Sequence, residues 1–99
     1  MSETARPLPL RVATVADDVD RSCLARIASG ELHALDELYE RYKTMAYSIA
    51  YRITNDASLA EDVVQDAFLG AWRNADRYVT GRGSVKTWLL SIVHPRAID

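Results

Sequence analysis

The sequence predicts an all-α fold, a compact bundle of about four helices. Three observations predict it. Apolar residues recur three and four positions apart through most of the chain, the period of a helix buried on one side. No stretch alternates apolar and polar residues as a half-buried strand would. The breaks in the period carry turn residues, at Gly30, at Thr54-Asn55-Asp56 and from Asn74 to Gly83.

Residues 1–16 hold two of the three prolines, Pro7 and Pro9, and show no helical period. They read as a flexible lead-in, which leaves residues 17–99 as the folded domain. The first helical segment places Leu24 and Ile27 on one face, with Val19 or Cys23 adding to it. Asp17 or Asp20 is positioned to cap it, and Gly30 stands where it should stop. About three turns are expected.

The second segment runs from about Leu32 to Ile53. Leu35, Leu38, Tyr39, Tyr42, Ala46, Ile49, Ala50 and Ile53 draw one stripe along it, opposite Asp36, Glu37, Glu40, Arg41 and Lys43. Glu37 and Arg41 are four apart in the order that favours an ion pair along one helix. The third segment opens on Ser58-Leu59-Ala60-Glu61, the pattern of a capping box, with Asp56 as a competing cap. Val63, Val64, Ala67, Phe68, Ala71 and Trp72 then form a broad apolar face, with Phe68 and Trp72 its expected core anchors. Gly70 costs this helix roughly 1 kcal/mol against alanine; a glycine there often marks close packing and otherwise carries no meaning.

Residues 74–83 read as a loop. Ser84 caps a last helix that turns Val85, Trp88, Leu89 and Ile92 to one side. Pro95 has no N–H for the Ser91 carbonyl, so a kink or an end is expected there. The helical pattern still runs at Asp99, as if cut within a helix.

Composition bounds the function. Ninety-nine residues make one domain. With one cysteine, Cys23, no internal disulfide can form, and the residue reads as a small apolar side chain. No apolar run approaches the ~20 residues that span a bilayer, and no signal-peptide stretch opens the chain. A cytoplasmic location and no membrane insertion are expected. Four glycines argue against a phosphate-cradling loop, and His33 and His94 stand too far apart for a metal motif. Neither an activated nucleophile nor an acid–base pair is evident, so no catalytic residue, metal or cofactor is expected.

Two features remain. The net charge of −2 conceals an asymmetry: residues 31–66 carry eight acids and three bases, whereas 73–96 carry five bases and one acid. The first part suits a basic protein surface and the second suits phosphates. In the basic part Tyr78 and Trp88 are interleaved with Arg77, Arg82 and Lys86. Aromatics beside cations can hold the unstacked bases of a single strand. By its spacing with Leu89 and Ile92, Trp88 could equally be a core anchor.

The ordered series Ala60-Glu61-Asp62-Val63-Val64-Gln65-Asp66-Ala67-Phe68-Leu69, Ala71-Trp72-Arg73, Tyr78, Arg82-Gly83-Ser84-Val85-Lys86-Thr87-Trp88-Leu89-Leu90-Ser91-Ile92 and Arg96-Ala97-Ile98-Asp99 resembles region 2 of extracytoplasmic-function (group IV, sigma-70 family) bacterial sigma factors. The earlier Ala34-Leu35-Asp36-Glu37-Leu38-Tyr39-Glu40-Arg41-Tyr42 resembles the first helix of that domain. The resemblance covers about residues 20–99.

It implies a transcription initiation factor domain with no enzymatic activity. Such a domain binds core RNA polymerase through the clamp coiled coil of the β′ subunit. It also recognises and melts the promoter minus-ten element, holding the non-template single strand. On this resemblance Asp62, Gln65, Asp66 and Leu69 are the polymerase-binding candidates. Arg77, Tyr78, Arg82, Ser84, Lys86, Thr87, Trp88, Ser91 and Arg96 are the DNA-binding candidates. An anti-sigma factor is a further expected partner. Complete members carry a second helical domain, region 4, which this chain lacks, so the N-terminal half of such a factor is expected here. The alternative is a helical protein-interaction domain that does not bind DNA.

Overall fold

The computed structural model describes residues 8–78 and 83–99. Four α-helices follow one another: α1 (Leu8–Ala28), α2 (Leu32–Thr54), α3 (Ala57–Asn74) and α4 (Val85–Ile98), with a 3-10 turn at Ala75–Arg77 after α3. No strand occurs among the described residues. The all-α bundle expected from the apolar period is the observed fold.

The core forms where the apolar stripes meet. Leu24 and Ile27 of α1, Leu38 of α2, Val64 and Phe68 of α3, and Val85, Leu89 and Val93 of α4 are all buried. Between them lie Ala34, Ala46, Ala50, Ala60, Ala67 and Ala71, each fully buried. Such small side chains let helix axes approach closely, which explains the tight packing of α3 on α2. The Tyr39 ring meets Phe68 edge-on at 5.1 Å. Trp72, expected as a core anchor, is half-buried and packs against the core from its margin.

The first helix corrects the expected lead-in. α1 begins at Leu8, so residues 8–16 are helical and the helix has 21 residues. Pro9 falls in its first turn, where a missing N–H breaks no helical hydrogen bond and the fixed φ already suits the helix. Gly30 then adopts φ +94°. Its N–H donates to the Ile27 carbonyl and the Glu31 N–H to that of Arg26, which closes α1 with a left-handed cap residue. Asn55 plays the same part for α2, at φ 55° with its N–H on the Tyr51 carbonyl.

Asp56, not Ser58, caps α3: its carboxylate accepts the Leu59 N–H at 3.0 Å. α4 runs through Pro95 to Ile98 and does not end there. Pro95 is exposed, so the carbonyl left without its helical donor lies close to water.

Two further expectations fail for one reason. Glu37 and Arg41 do not pair along α2. Glu37 takes Arg26 at 2.8 Å and Arg41 takes Asp20 at 2.8 Å, both across the α1–α2 interface. Asp20, a candidate cap, is instead a mid-helix carboxylate with 1% exposure. A buried carboxylate needs donors, and it has the Arg41 Nε and the Tyr42 hydroxyl.

Burial first, and then the hydrogen bond to Asp20, push the Tyr42 hydroxyl from its ordinary 10 up to about 12. A raised folded-state pKa stabilises the fold below the unfolded value and loses that contribution as pH rises through the folded one. Melting temperature should therefore show no Tyr42 contribution to its slope below pH 10, and an extra fall between 10 and about 12. The difference between the chain and Tyr42→Phe, followed against pH, should isolate that fall.

Cys23 is buried, and its thiol donates to the Ala34 carbonyl at 3.0 Å. Burial pushes the thiol pKa up, which makes it a poor nucleophile at neutral pH.

Candidate functional site

The polymerase-binding candidates form one surface. Asp62, Gln65, Asp66 and Leu69 stand at positions i, i+3, i+4 and i+7 of α3, the spacing of a single helix face. All four are exposed, and Leu69 keeps 48% of its surface open although it is a large apolar residue. The opposite side of α3 is buried through Ala60, Val64, Ala67 and Ala71, so packing forces this face outward. Beside it runs a groove between α2 and α3, lined by Leu35, Asp36, Tyr39, Gln65, Phe68 and Leu69. An apolar floor edged by carboxylates is chemically suited to a partner helix with basic and apolar side chains.

The DNA-binding candidates divide into two sets. Arg77 and Lys86 are exposed, and neither makes an ion pair among the described residues. Tyr78 and Trp88 are half-buried and meet edge-on, ring centroids 6.0 Å apart. The Tyr78 hydroxyl donates to the Gly83 carbonyl at 2.7 Å, pinning one side of the loop to the other. Trp88 is thus both things the sequence allowed, packed on the core on one side and open on the other.

The second set is already engaged within the chain. The Ser84 hydroxyl accepts the Thr87 N–H at 3.1 Å and donates to the Thr87 hydroxyl at 3.0 Å, which caps α4. The Ser91 hydroxyl donates to the Trp88 carbonyl at 2.5 Å. Arg82 lies outside the described residues.

Arg96 connects the two surfaces. Its Nε donates to Asp66 at 2.6 Å and its Nη1 to the Ile92 carbonyl at 3.1 Å. A Cβ added at Gly70 would lie 2.8 Å from its Nη2. Of the two readings open for Gly70, the structure shows close packing: its missing side chain is room for this guanidinium. One polymerase candidate and one DNA candidate are therefore bonded to each other.

Sequence reasoning gave α1 no part in either surface. Yet Asp17 accepts the N–H of Val85, the first residue of α4, at 2.9 Å. Arg21 pairs with Asp17 and Asp18. Nothing in the local sequence distinguishes Asp17 from an ordinary cap, because its partner lies 68 positions away.

Among the described residues, no group of histidine, cysteine and carboxylate side chains is placed to hold a metal ion. No helix there is long and apolar enough to cross a membrane.

Residues 38–99 match the family described as Sigma-70 region 2. The chain is similar to the ECF RNA polymerase sigma factor SigK of Mycobacterium sp. (strain KMS), 34% identical over 96 residues, which are 97% of this chain and 49% of that protein. It is similar also to the SigK factors of Mycobacterium bovis (strain BCG / Pasteur 1173P2) and Mycobacterium tuberculosis (strain ATCC 25618 / H37Rv). Each of these is 33% identical over 85 residues, 86% of this chain and 45% of the relative. The chain spans about half the length of the curated relatives it matches.

Proposed function

This chain belongs to the sigma-70 family as a region 2 domain of the extracytoplasmic-function type, and from that premise we propose its task. It docks on core RNA polymerase, at the clamp coiled coil of the β′ subunit, and it recognises and melts the promoter minus-ten element. It is a binding domain with no catalytic step. An anti-sigma factor is a further partner.

The observation that carries the reading is the outward face of α3. Asp62, Gln65, Asp66 and Leu69 are exposed together beside the Leu35–Phe68 groove. Leu69 lies on the rim of that groove with Leu35, Tyr39 and Phe68, so apolar surface and carboxylates share one face, a combination that suits a basic, amphipathic partner helix. The DNA half rests on Tyr78 and Trp88 flanked by Arg77 and Lys86. Unstacking a base costs a few kcal/mol, and stacking on an aromatic offsets about 1–3 kcal/mol of it. So small a basic patch binds DNA weakly by itself, which suits a domain that reads DNA once the polymerase presents it.

Titration of the fluorescently labelled domain with core polymerase tests the docking half. Saturable binding is expected, and its absence would remove this reading. Lys86→Ala is expected to weaken capture of single-stranded minus-ten DNA about threefold to tenfold, the scale of one lost phosphate contact. Lys86 is exposed, so the melting temperature should not change. A large drop in melting temperature would instead make the lysine structural.

A helical protein-interaction domain that never touches DNA has its own support. Tyr78, Ser84, Thr87, Ser91 and Arg96, five of the nine DNA candidates, already have hydrogen-bond partners within the chain. In that case Lys86→Ala changes nothing.

A further inference from the structure

Helix α4 carries a proline where a helix needs a donor, and it continues past it. The helix runs through Pro95 to Ile98, and the Asp99 N–H still returns to the Pro95 carbonyl at 3.2 Å. Proline has no N–H, so the Ser91 carbonyl, four residues earlier, lacks the donor that an α-helix would supply. Arg96 does not replace it: its Nη1 donates to the Ile92 carbonyl and its Nε to Asp66. No residue is less favourable inside a helix than proline, and Pro95 is exposed, so core packing does not account for it.

The Ser91 side chain has also lost its donor. Its hydroxyl donates to the Trp88 carbonyl at 2.5 Å. A serine hydroxyl has one proton and two lone pairs, so the oxygen is left as an acceptor. Ser91 therefore presents two acceptors, its carbonyl and its Oγ. It is exposed, together with Thr87, His94 and Ile98. These four fall at i, i+4, i+7 and i+11, the outward side of α4, opposite the buried Val85, Leu89, Val93 and Ala97.

A phosphate is itself an acceptor and gains nothing from this pair. A group with two hydrogens fits it. In DNA that group is the exocyclic amine, carried by adenine, cytosine and guanine and missing from thymine. We propose that Ser91 reads a base amine in the minus-ten element, through the carbonyl that Pro95 leaves free and through its own Oγ. The inference deepens the DNA half of the proposed function and rests on it. Pro95 is then a positioning residue, which touches no base and acts by withholding a donor. The bond from Ser91 to Trp88 does not remove Ser91 from the DNA surface but fixes it as an acceptor.

The test uses the domain bound to core polymerase. Fluorescent single-stranded oligonucleotides of minus-ten length carry each base in turn at each position. At every position each amine-bearing base is also replaced by an analogue without the amine: purine for adenine, inosine for guanine and 2-pyrimidinone for cytosine. The quantity measured is the ratio of affinities for the base and for its amine-free analogue. One position is expected to show a ratio of about tenfold, the scale of one to two hydrogen bonds. Pro95→Ala gives the Ser91 carbonyl its helical donor back. It is expected to lower that ratio about threefold while the melting temperature rises, since a proline has left a helix interior. A purely structural role for Pro95 does not join higher stability to poorer discrimination.

A full ratio retained in Pro95→Ala would overturn the proposal. So would an unaltered domain that prefers some bases but at no position distinguishes a base from its amine-free analogue. Should Pro95→Ala fail to fold, Ser91→Ala removes the Oγ acceptor from an exposed site. A lowered ratio then supports the proposal and an unchanged one overturns it. If the unaltered domain binds every oligonucleotide alike, the DNA reading itself falls and the inference with it.

Discussion

Phe68→Ala is expected to remove a large share of the domain's stability. Phe68 is 4% exposed and sits on the inner face of α3. Its ring packs edge-on against Tyr39 of α2. Truncating a buried phenylalanine costs about 3–5 kcal/mol, from lost transfer energy and from the cavity left behind. A chain of this size has roughly 5–15 kcal/mol in total, so the loss takes a large share of it. Urea unfolding should show a midpoint shifted well down at unchanged slope. Trp72→Ala is expected to cost less, since Trp72 is half-buried at the edge of the core.

Reversing the charge of the α3 face gives the second large effect. The double variant Asp62→Lys with Asp66→Lys is expected to weaken binding to core polymerase by roughly 30-fold to 100-fold. Each lysine replaces an attraction to a basic partner with a repulsion, and like charges facing across an interface cost several kcal/mol when close. Both residues are exposed, so stability should change by no more than about 0.5 kcal/mol at Asp62 and by about 1 kcal/mol at Asp66, which has an ion pair to lose. Asp66 also holds Arg96, so the double variant breaks that bridge as well. Arg96→Gln separates the two effects: it removes the bridge and leaves the acidic face intact, and polymerase affinity should hold. Leu69→Ala should weaken docking with no change of charge, through loss of an exposed apolar contact.

Those expectations depend on features of unequal legibility. The face of α3 can be read from spacing alone, because residues 62, 65, 66 and 69 share a side by the helical period and that side carries no core residue. The buried faces of α2, α3 and α4 follow from the same period. The start of α1 does not, because Pro9 looks like a helix breaker unless one knows that it occupies a first turn. Glu37 and Arg41 mislead for another reason. Their spacing suits a pair along α2, but Arg26 and Asp20 on α1 offer closer partners, and local spacing carries no information about a neighbouring helix.

The DNA candidates show the same limit. Ser84 was legible as a cap, and its capping bond is what occupies it. The bond of Arg96, a DNA candidate on the resemblance, was not legible because its partner Asp66 is 30 positions away. Gly70 gave the one sequence signal of that contact, a glycine where a helix would favour alanine. Asp17 and Asp20 gave none. Each reads as a cap, and only the packing of α1 shows that one holds the start of α4 and the other is buried beneath Arg41 and Tyr42.

The central claim joins two surfaces in one domain, an acidic face for the polymerase and a basic, aromatic end for promoter DNA. The most direct test measures the affinity of the domain for single-stranded non-template minus-ten oligonucleotides, with and without core polymerase. The account predicts weak binding by the domain alone, and tight, base-dependent binding when core polymerase is present. Binding that ignores the bases in both conditions, or no binding in either, would contradict it.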